Sequence, residues 1–589
     1  MKSPPVTTMS FLYSNEKNAQ VILYLLKAHN IKRVIASPGT TNTALVASMQ
    51  QDPFFIMYSS VDERSAAYMA CGLAAETGEP VVISCTGATA SRNYLPGLTE
   101  AYYRKLPVLA ITSMQAFSKV GHHVAQVIDR SSVPNDVVNF STALPIVKDE
   151  DDLWDCEIKV NKAILALKHR GGGPVHINLP TTYSKPYTTQ VLPTYRVIER
   201  VTVHDALPAL EGRIAVFVGA HKHWSDAETQ TLEAFCSQHD AVVFCDHSSG
   251  YRGKNRLLYS LAASQSMADQ AAFQPDVMIH IGEISGDYAS LGMVGKHVWR
   301  VSEDGEIRDT FRRLRYTFEM PEKCFFQHYA KTSAKSDGSH YYQLCRDHLE
   351  NVRGLIPELP FSNIWLASQL ASRIPADSTV HFGILNSLRS WNFFELPDSV
   401  STASNVGGFG IDGGLSSLIG ASLANSEKLY FAVIGDLAFF YDVNVLGNRH
   451  AGNNLRILLI NNGKGTEFRQ YNHHAAYFGE ASDEYIAAAG HFGNQSPALV
   501  RNFATDLGYE YLAANSKDEF NACYERFISE EALDRPMVFE VFTDSRLESE
   551  ALETIQTLHK NPKGQAKKLA RKILGPKSIS VIKRLIKIQ

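Results

Sequence analysis

Apolar residues recur along the chain with two different spacings that alternate. Residues 15–31 carry an apolar residue every three or four positions, which predicts an amphipathic helix. The short runs 33–36, 81–85 and 108–112 are mostly apolar, as in strands that are buried on both faces. Because helical and strand patterns keep alternating, the chain is predicted to form parallel sheets with helices packed on each side.

Breaks in this pattern divide the chain into three α/β units. Residues 184–201 are rich in Pro, Thr and Tyr and lack periodicity, and a second break falls near residues 355–360. The middle unit has no glycine-rich fingerprint of a nucleotide site, so we expect it to hold no cofactor. The prediction is therefore three doubly wound parallel-sheet domains, residues 1–184, 202–350 and 360–545, followed by an extension, 546–589.

The charge distribution separates a basic tail from an acidic body. The 589 residues carry a formal net charge of −4, yet residues 560–589 contain ten Lys or Arg and no Asp or Glu. We therefore expect no nucleic-acid partner for the body. Ile, Leu and Val alternate with the basic residues, so the tail could form an amphipathic helix on an anionic membrane. A solvated or subunit-packing helix is the alternative, and liposome co-sedimentation of full-length and truncated protein distinguishes the two.

The cysteines and the apolar runs bear on where the protein resides. No apolar stretch is long enough for a membrane span or a signal peptide. None of the eight cysteines lies in a C-x-x-C pair, so neither a zinc site nor a disulfide framework is indicated. We expect a reduced cytoplasmic protein, with at most a peripheral membrane contact through the tail.

Polar residues end two apolar strands of the third unit. Residues 434–437 read Ile-Gly-Asp-Leu and residues 461–464 read Asn-Asn-Gly-Lys, so that Asn462 follows Asp436 by 26 positions. Open parallel sheets bind ligands beyond the carboxyl ends of their strands. Carboxylate, amide and carbonyl oxygens suit Mg²⁺ and leave coordination sites for phosphate oxygens. Either segment alone is equally compatible with an ordinary tight turn.

The spacing of these two segments resembles the cofactor motif of thiamine-diphosphate-dependent enzymes. Residues 410–417 and 435–444 are most similar to the branch that makes the menaquinone precursor 2-succinyl-5-enolpyruvyl-6-hydroxy-3-cyclohexene-1-carboxylate. The resemblance implies thiamine diphosphate and Mg²⁺ as cofactors. The implied metal ligands are Asp436, Asn462 and the carbonyl of Lys464, and these three together with Gly410, Ile411, Leu437 and Ala438 are the implied cofactor contacts.

A segment of the first unit resembles the activating-glutamate helix of the same enzymes. Residues 61–74 begin Val-Asp-Glu-Arg, which identifies Glu63 with that glutamate. A carboxyl at this place hydrogen-bonds the pyrimidine ring of the cofactor and favours its reactive imino tautomer. The resemblance makes the first unit a pyrimidine-binding domain and the third a diphosphate-binding domain. Taken alone, Glu63 could equally be a carboxylate favoured by a helix dipole.

Three positions depart from the menaquinone branch. That branch uses several arginines to bind the carboxylates of isochorismate and 2-oxoglutarate, whereas this chain has Thr41, Trp391 and Val406 at the corresponding places. A bidentate guanidinium–carboxylate contact cannot be lost without effect, although Arg389 could compensate in part. We therefore expect the cofactor machinery to be retained and the acceptor pocket to differ.

Two loops supply further candidate catalytic residues. Gln126 matches an active-site glutamine of the menaquinone and acetolactate synthase branches. His122 and His123 resemble the histidine pair of 2-oxoacid decarboxylases such as pyruvate decarboxylase, and Glu467 lies near their catalytic glutamate. His123 and Glu467 could transfer protons during catalysis. The alternatives are solvated loop histidines and a surface carboxylate.

Together these motifs predict an enzyme that decarboxylates a 2-oxoacid and ligates the resulting enamine to a carbonyl or other acceptor. A simple 2-oxoacid decarboxylase and a catalytically silent scaffold are the alternatives. One cofactor must touch both Glu63 and Asp436, which lie in different units, and the family draws these two units from different subunits. We therefore expect a homodimer or homotetramer.

Overall fold

The computed structural model describes residues 12–182, 186–266, 270–332, 340–491, 495–531 and 534–559. The chain divides into two compact units. Unit 1 takes in the described residues up to Val201 and those of Gly305–Thr317, and unit 2 takes in those of Thr202–Asp304 and from Phe318 onward.

Unit 1 is a parallel sheet flanked by helices. Its elements are β1 (Tyr13–Ser14), α1 (Lys17–Ala28), β2 (Arg33–Ala36), α2 (Thr43–Gln51), β3 (Ile56–Ser59), α3 (Glu63–Thr77), β4 (Val81–Thr86), α4 (Thr89–Asn93), α5 (Leu95–Tyr103), β5 (Val108–Met114), β6 (Phe140–Ala143), α6 (Glu150–Ala166), β7 (Val175–Pro180) and β8 (Tyr187–Thr189). The six-stranded sheet has the order β3-β2-β4-β5-β7-β6, and each neighbouring pair is parallel. Strands β1 and β8 form a separate antiparallel pair.

Both faces of this sheet are buried. Val82 on β4 and Ile111 on β5 belong to one hydrophobic core together with residues of α1 and α6. Their chain neighbours Val81 and Ala110 belong to a second core together with residues of α3 and α5. Successive side chains of a strand point to opposite faces, so a strand between two helical layers is mostly apolar on both faces. This explains the continuous apolar runs of the sequence.

Unit 2 contains two further sheets. After β9 (Glu199–Thr202), the elements of the first sheet and its helices are β10 (Ile214–Val218), α7 (Asp226–His239), β11 (Val242–Cys245), β12 (Arg256–Leu258), α8 (Ser260–Ala263), β13 (Val277–Ile281), β14 (His297–Ser302), β15 (Leu314–Glu319), α9 (Glu322–Ala330) and α10 (Tyr341–Arg353). Strands β12-β11-β10-β13-β14 run parallel in that order. The boundary between the two units falls within β9 and again within β15.

The second sheet of unit 2 carries the predicted metal-binding segments. Its elements are α11 (Asn363–Leu370), β16 (Thr379–Phe382), α12 (Asn386–Trp391), β17 (Ser401–Ser404), α13 (Gly414–Ser422), β18 (Tyr430–Gly435), α14 (Asp436–Asp442), β19 (Leu455–Asn461), α15 (Leu499–Asp506), β20 (Glu510–Ala514), α16 (Lys517–Phe527), β21 (Met537–Phe542) and α17 (Ser545–Gln556). The parallel order is β17-β16-β18-β19-β21-β20. The predicted class, α/β with parallel sheets between helices, is confirmed.

The carboxyl-terminal region is only partly described. Helix α17 buries Ala551, Leu552 and Ile555, so the chain is packed beyond residue 546. The basic tail, residues 560–589, lies outside the described residues, and its membrane contact stays a prediction. No helix in the described part of the chain has the length and hydropathy that a membrane span requires. The division into domains 1–184, 202–350, 360–545 and 546–589 likewise stays a prediction.

Candidate active site

The two predicted metal-binding segments meet at one edge of the third sheet. Strands β18 and β19 are parallel neighbours, and Gly435 pairs in register with Ile460. The residues that follow these strands therefore emerge side by side. The backbone N–H of Gly463 reaches the carboxyl group of Asp436 across this edge. The structure thus brings Asp436 next to the Asn-Asn-Gly-Lys turn, as the spacing predicted.

The electrostatics of this edge fit a bound cation. Asp436 is 6% exposed, and burial raises the pKa of its carboxyl to about 7. Backbone N–H groups of Asp436, Leu437 and Gly463 oppose the shift without cancelling it. The side-chain oxygen of Asn462 is buried and has no hydrogen-bond partner in the part of the chain that the structure describes. An unpaired buried amide oxygen beside a buried carboxyl is costly, and a divalent cation would satisfy both groups.

The turn after β19 is held in place by several contacts. Asn461 donates to Glu540 at 2.7 Å, and its own side-chain oxygen accepts from the Gly463 N–H at 3.2 Å. Gly463 has a backbone φ of 73°, a conformation that residues other than glycine rarely adopt. The Lys464 ammonium is bound to Asp483 at 2.7 Å, and the Lys464 carbonyl accepts from the Thr466 N–H. That carbonyl retains a second lone pair for a metal ion.

This ligand set is one carboxylate, one amide and one carbonyl. Among the described residues, no group of three or more His, Cys, Asp or Glu could hold a metal ion. A site built on Asp436, Asn462 and the Lys464 carbonyl needs no such group. Oxygen ligands of this kind favour Mg²⁺ over the softer transition metals.

The remaining predicted cofactor contacts flank this edge. Gly410 and the half-buried Ile411 lie in the loop before α13, and Leu437 and Ala438 lie in the first turn of α14. A side chain at position 410 would clash with its own loop, because a Cβ atom there would lie 2.3 Å from the Asp412 carboxylate. Because the Asp412 side chain is exposed and can turn away, this contact does not by itself require glycine at position 410.

Hydrogen bonds between α13 and α14 set the position of the loop before α13. Asp442, at the end of α14, accepts hydrogen bonds from the backbone and the hydroxyl of Ser416, each at 2.6 Å. Ser417 accepts a further bond from Asn405 at 3.0 Å. These contacts explain why serines and an aspartate accompany the glycines in this part of the sequence.

Glu63 is the first residue of α3 and is held by a contact that the sequence did not predict. Asp62 caps the helix by accepting from the N–H groups of Arg64 and Ser65. Glu63 is half-buried, and its carboxylate accepts a hydrogen bond from the side chain of Asn93 at 3.1 Å. No local pattern links these two residues, which are 30 positions apart. Asn93 is therefore a positioning residue that only the structure reveals.

Comparison with known proteins decides the family. The family described as "Thiamine pyrophosphate enzyme, N-terminal TPP binding domain" matches residues 16–133. A 2-succinyl-5-enolpyruvyl-6-hydroxy-3-cyclohexene-1-carboxylate synthase from Bacteroides fragilis is 30% identical over 575 residues, which cover 92% of this chain and 99% of that protein. The chain belongs to this synthase family. It is a thiamine-diphosphate-dependent enzyme, and the predicted family and function are confirmed at that level.

Other synthases of the same name are similar at comparable coverage. The relative from Bacteroides thetaiotaomicron is 29% identical over 574 residues, covering 92% of this chain and 98% of its own. The relative from Desulfotalea psychrophila is 27% identical over 549 residues, covering 88% and 96%. The likeness thus extends over the chain and is not limited to the motifs.

In this member of the synthase family, the three departing positions are packed inside the protein. Thr41 is buried, and its hydroxyl donates to the backbone carbonyl of Ser113 at 2.7 Å. Trp391 is fully buried, and its indole N–H donates to Asn363 at 3.2 Å. Val406 is 3% exposed. Each of the three side chains contributes to packing, and none offers a cation for a carboxylate.

Arg389 and Glu467 form an ion pair with each other. Two guanidinium nitrogens of Arg389 donate to the two carboxylate oxygens of Glu467, at 3.1 and 2.6 Å. Arg389 also bonds Asn386, which accepts in addition from Gln470. The predicted compensating arginine and the predicted catalytic glutamate thus engage each other. Their separation of 78 positions left no sequence signal for this pair.

The other two candidate catalytic residues lie on an exposed loop of unit 1. His123 and Gln126 are both exposed, with φ of 55° and 63°. Left-handed backbone at two residues other than glycine within four positions is uncommon, and such strain is concentrated at functional sites. The catalytic roles of His123, Gln126 and Glu467 stay predictions.

Proposed function

We propose that the enzyme uses thiamine diphosphate and Mg²⁺ to decarboxylate a 2-oxoacid and to ligate the remaining fragment to a carbonyl or other acceptor. The observation that carries this proposal is that the buried Asp436 carboxyl and the Asn462 side-chain oxygen, which has no hydrogen-bond partner among the described residues, lie at the same sheet edge. Bound thiamine diphosphate supplies a nucleophilic carbon that releases CO₂ from the 2-oxoacid. The protein must supply the groups that bind and orient the cofactor and the substrates.

Each of these side chains has a separate task. Asp436, Asn462 and the Lys464 carbonyl would hold Mg²⁺, whose charge would balance that of the diphosphate. Glu63, oriented by Asn93, would hydrogen-bond the pyrimidine ring through its carboxyl. The apolar Ile411 would support the cofactor from the loop before α13. The contact between Asn93 and Glu63 supports the pyrimidine role because it orders the carboxylate before any ligand binds.

The ion pair of Glu467 favours ligation over simple decarboxylation. A decarboxylase must protonate the carbon from which CO₂ has left. Both oxygens of Glu467 already accept hydrogen bonds from Arg389, so this group is poorly placed to deliver that proton. His123 remains a candidate for proton transfer to an acceptor oxygen, and Gln126 a candidate for hydrogen bonding to it. The simple decarboxylase is the second candidate function.

We also propose that the acceptor differs from that of the menaquinone enzymes. Thr41, Trp391 and Val406 are buried and uncharged, and Arg389 is already paired. An acceptor with several carboxylates would therefore lose its charge-assisted contacts at these positions. A less highly charged acceptor fits the described residues better.

A substrate panel tests both proposals. Isochorismate with 2-oxoglutarate is expected to react poorly, because each missing charge-assisted contact costs about 1.5–3 kcal/mol. Three such losses would lower kcat/KM by orders of magnitude. The panel should combine 2-oxoacids with and without aldehydes, and products should be identified by mass spectrometry. A kcat/KM for isochorismate above about 10⁴ M⁻¹s⁻¹ would restore the menaquinone reaction, and an aldehyde product without acceptor incorporation would favour the decarboxylase.

The active enzyme is expected to be at least a homodimer. The region around Glu63 exposes Val61 at 79%, Tyr68 at 48% and Met69 at 45%, a cluster of apolar side chains suited to a subunit interface. A second copy of the chain would cover it and supply the other half of the cofactor site. Multi-angle light scattering should give a mass at or above twice 65.3 kDa under assay conditions. An active species at the mass of one chain would contradict the shared site.

We further propose a reducing, cytoplasmic environment. All eight cysteines are free thiols, and six of them are buried. Burial raises the pKa of several of these thiols, including Cys71 to about 11 and Cys85 to about 12. Such thiols are unreactive and need no oxidising compartment.

A further inference from the structure

Arg130 is a buried arginine of unit 1 that has no carboxylate partner among the described residues. It is 6% exposed. Its Nη1 donates to the hydroxyl of Thr112, whereas its Nε and Nη2 are buried without any hydrogen-bond partner. Buried guanidinium groups are normally paired, because an unpaired buried charge is strongly destabilising. Arg130 therefore needs an explanation that the cofactor site does not supply.

The groups that hydrogen-bond Arg130 or lie beside its guanidinium are neutral or positive. Thr112 is hydrogen-bonded to Nε2 of His176 at 2.7 Å, and Nδ1 of His176 contacts the Ser141 hydroxyl at 3.1 Å. Burial and the nearby Arg130 lower the pKa of His176 to about 3, so this histidine is neutral. Arg92 brings a second positive charge close to Arg130.

Arg130 lines a cavity of about 140 Å³ that is otherwise mainly apolar. Leu95 and Leu98 contribute from α5, and Val133 and Val137 contribute from the loop that follows Arg130. Asp129 lies at the same cavity but is exposed, and its carboxylate accepts from the Ser131 N–H at 2.9 Å. The cavity thus combines an incompletely hydrogen-bonded guanidinium and an exposed carboxylate with a mainly apolar lining.

We propose that this cavity binds a short-chain carboxylate. The Nε and Nη2 of a guanidinium lie on one edge and form a fork that matches the two oxygens of a carboxylate. The oxygens would bind this edge of Arg130, and the apolar chain would contact Leu95 and Leu98. A cavity of about 150 Å³ holds a benzene-sized molecule, so about six non-hydrogen atoms fit. Butanoate has that size and is a suitable probe.

Isothermal titration calorimetry on the full-length protein tests the proposal without reference to turnover. Butanoate is expected to bind saturably, and the uncharged butanamide at least tenfold more weakly, since a lost charge-assisted contact costs about a factor of ten or more. Arg130→Met should weaken butanoate binding by a similar factor. Val133→Phe keeps the guanidinium but fills the cavity, and it should also abolish binding.

Arg104→Gln is the matched control. Arg104 is exposed and lies at the carboxyl end of α5, so this substitution removes one positive charge from the same unit. It should leave the affinity for butanoate unchanged. Thermal unfolding should show that each variant is folded. Absence of butanoate binding to the wild-type protein would overturn the proposal, because water or a partner subunit then satisfies Arg130. Unchanged affinity in Arg130→Met would overturn it equally.

A kinetic arm separates the two possible sources of the carboxylate. If the cavity receives the carboxylate of the 2-oxoacid substrate, butanoate raises KM and leaves kcat unchanged. If it receives a separate effector, butanoate changes kcat. Either result supports a carboxylate site at Arg130, and the effect must disappear in Val133→Phe.

Discussion

Glu63→Gln is expected to abolish turnover while leaving the fold and the binding of thiamine diphosphate intact. The amide keeps the size of the side chain and its contact with Asn93, but it cannot share a proton with the pyrimidine ring. General acid–base groups contribute about 10²–10⁴-fold to rate, so a loss of at least about 100-fold is expected. Initial rates of CO₂ release measure the change.

The control for this variant lies on the same helix. Glu76→Gln changes an exposed carboxylate near the other end of α3 and should leave the rate unchanged. Cofactor affinity should be measured in parallel by circular dichroism of the bound thiamine diphosphate. If Glu63→Gln keeps more than about a tenth of the wild-type rate, the barrier has changed by less than about 1.4 kcal/mol. That result would refute the assignment of Glu63 as the activating glutamate. A wild-type protein that binds the cofactor but turns over no 2-oxoacid would instead favour the silent scaffold.

Asp436→Ala is expected to weaken Mg²⁺ and thiamine diphosphate together. The metal ion joins the diphosphate to the protein, so loss of its charged ligand should weaken both. Because even outer-sphere substitutions cost about 10–100-fold in metal affinity, loss of a direct ligand should cost at least about tenfold. Thermal unfolding with and without both ligands reports this, since a bound ligand raises Tm by mass action.

Asp398→Asn provides the comparison for this experiment. Asp398 lies in the same unit, and its side chain is 90% exposed. This variant should show the full ligand-dependent rise in Tm, whereas Asp436→Ala should show little. An Asp436→Ala protein with wild-type affinity for both ligands would place the metal elsewhere.

The order of the helices and strands could be predicted from the sequence because it depends on the local periodicity of apolar residues. The apolar runs 81–85 and 108–112 became β4 and β5, and the periodic segment 15–31 became α1. A strand covered by helices on both faces is mostly apolar on both faces, so its burial can be recognised in the sequence. Parallel sheets followed from the alternation of the two patterns.

That the two proposed metal-binding segments meet at one edge could also be predicted from the sequence. Asp436 and Asn462 each follow an apolar strand, and the carboxyl ends of parallel neighbours lie at one edge. The reasoning needed only that β18 and β19 are adjacent. Glu63 was identified differently, from the resemblance of residues 61–74 to the activating-glutamate helix of the family.

Only the tertiary structure decided which long side chains meet. Asn93 reaches Glu63, Arg389 pairs with Glu467, and two nitrogens of Arg130 have no hydrogen-bond partner among the described residues. Partners separated by 30 or 78 positions leave no periodic signal, because their meeting depends on how whole helices and loops pack. The sequence by itself therefore determined the sheets and the cofactor motif, while the packed structure decided the pairing, burial and charge of the groups around them.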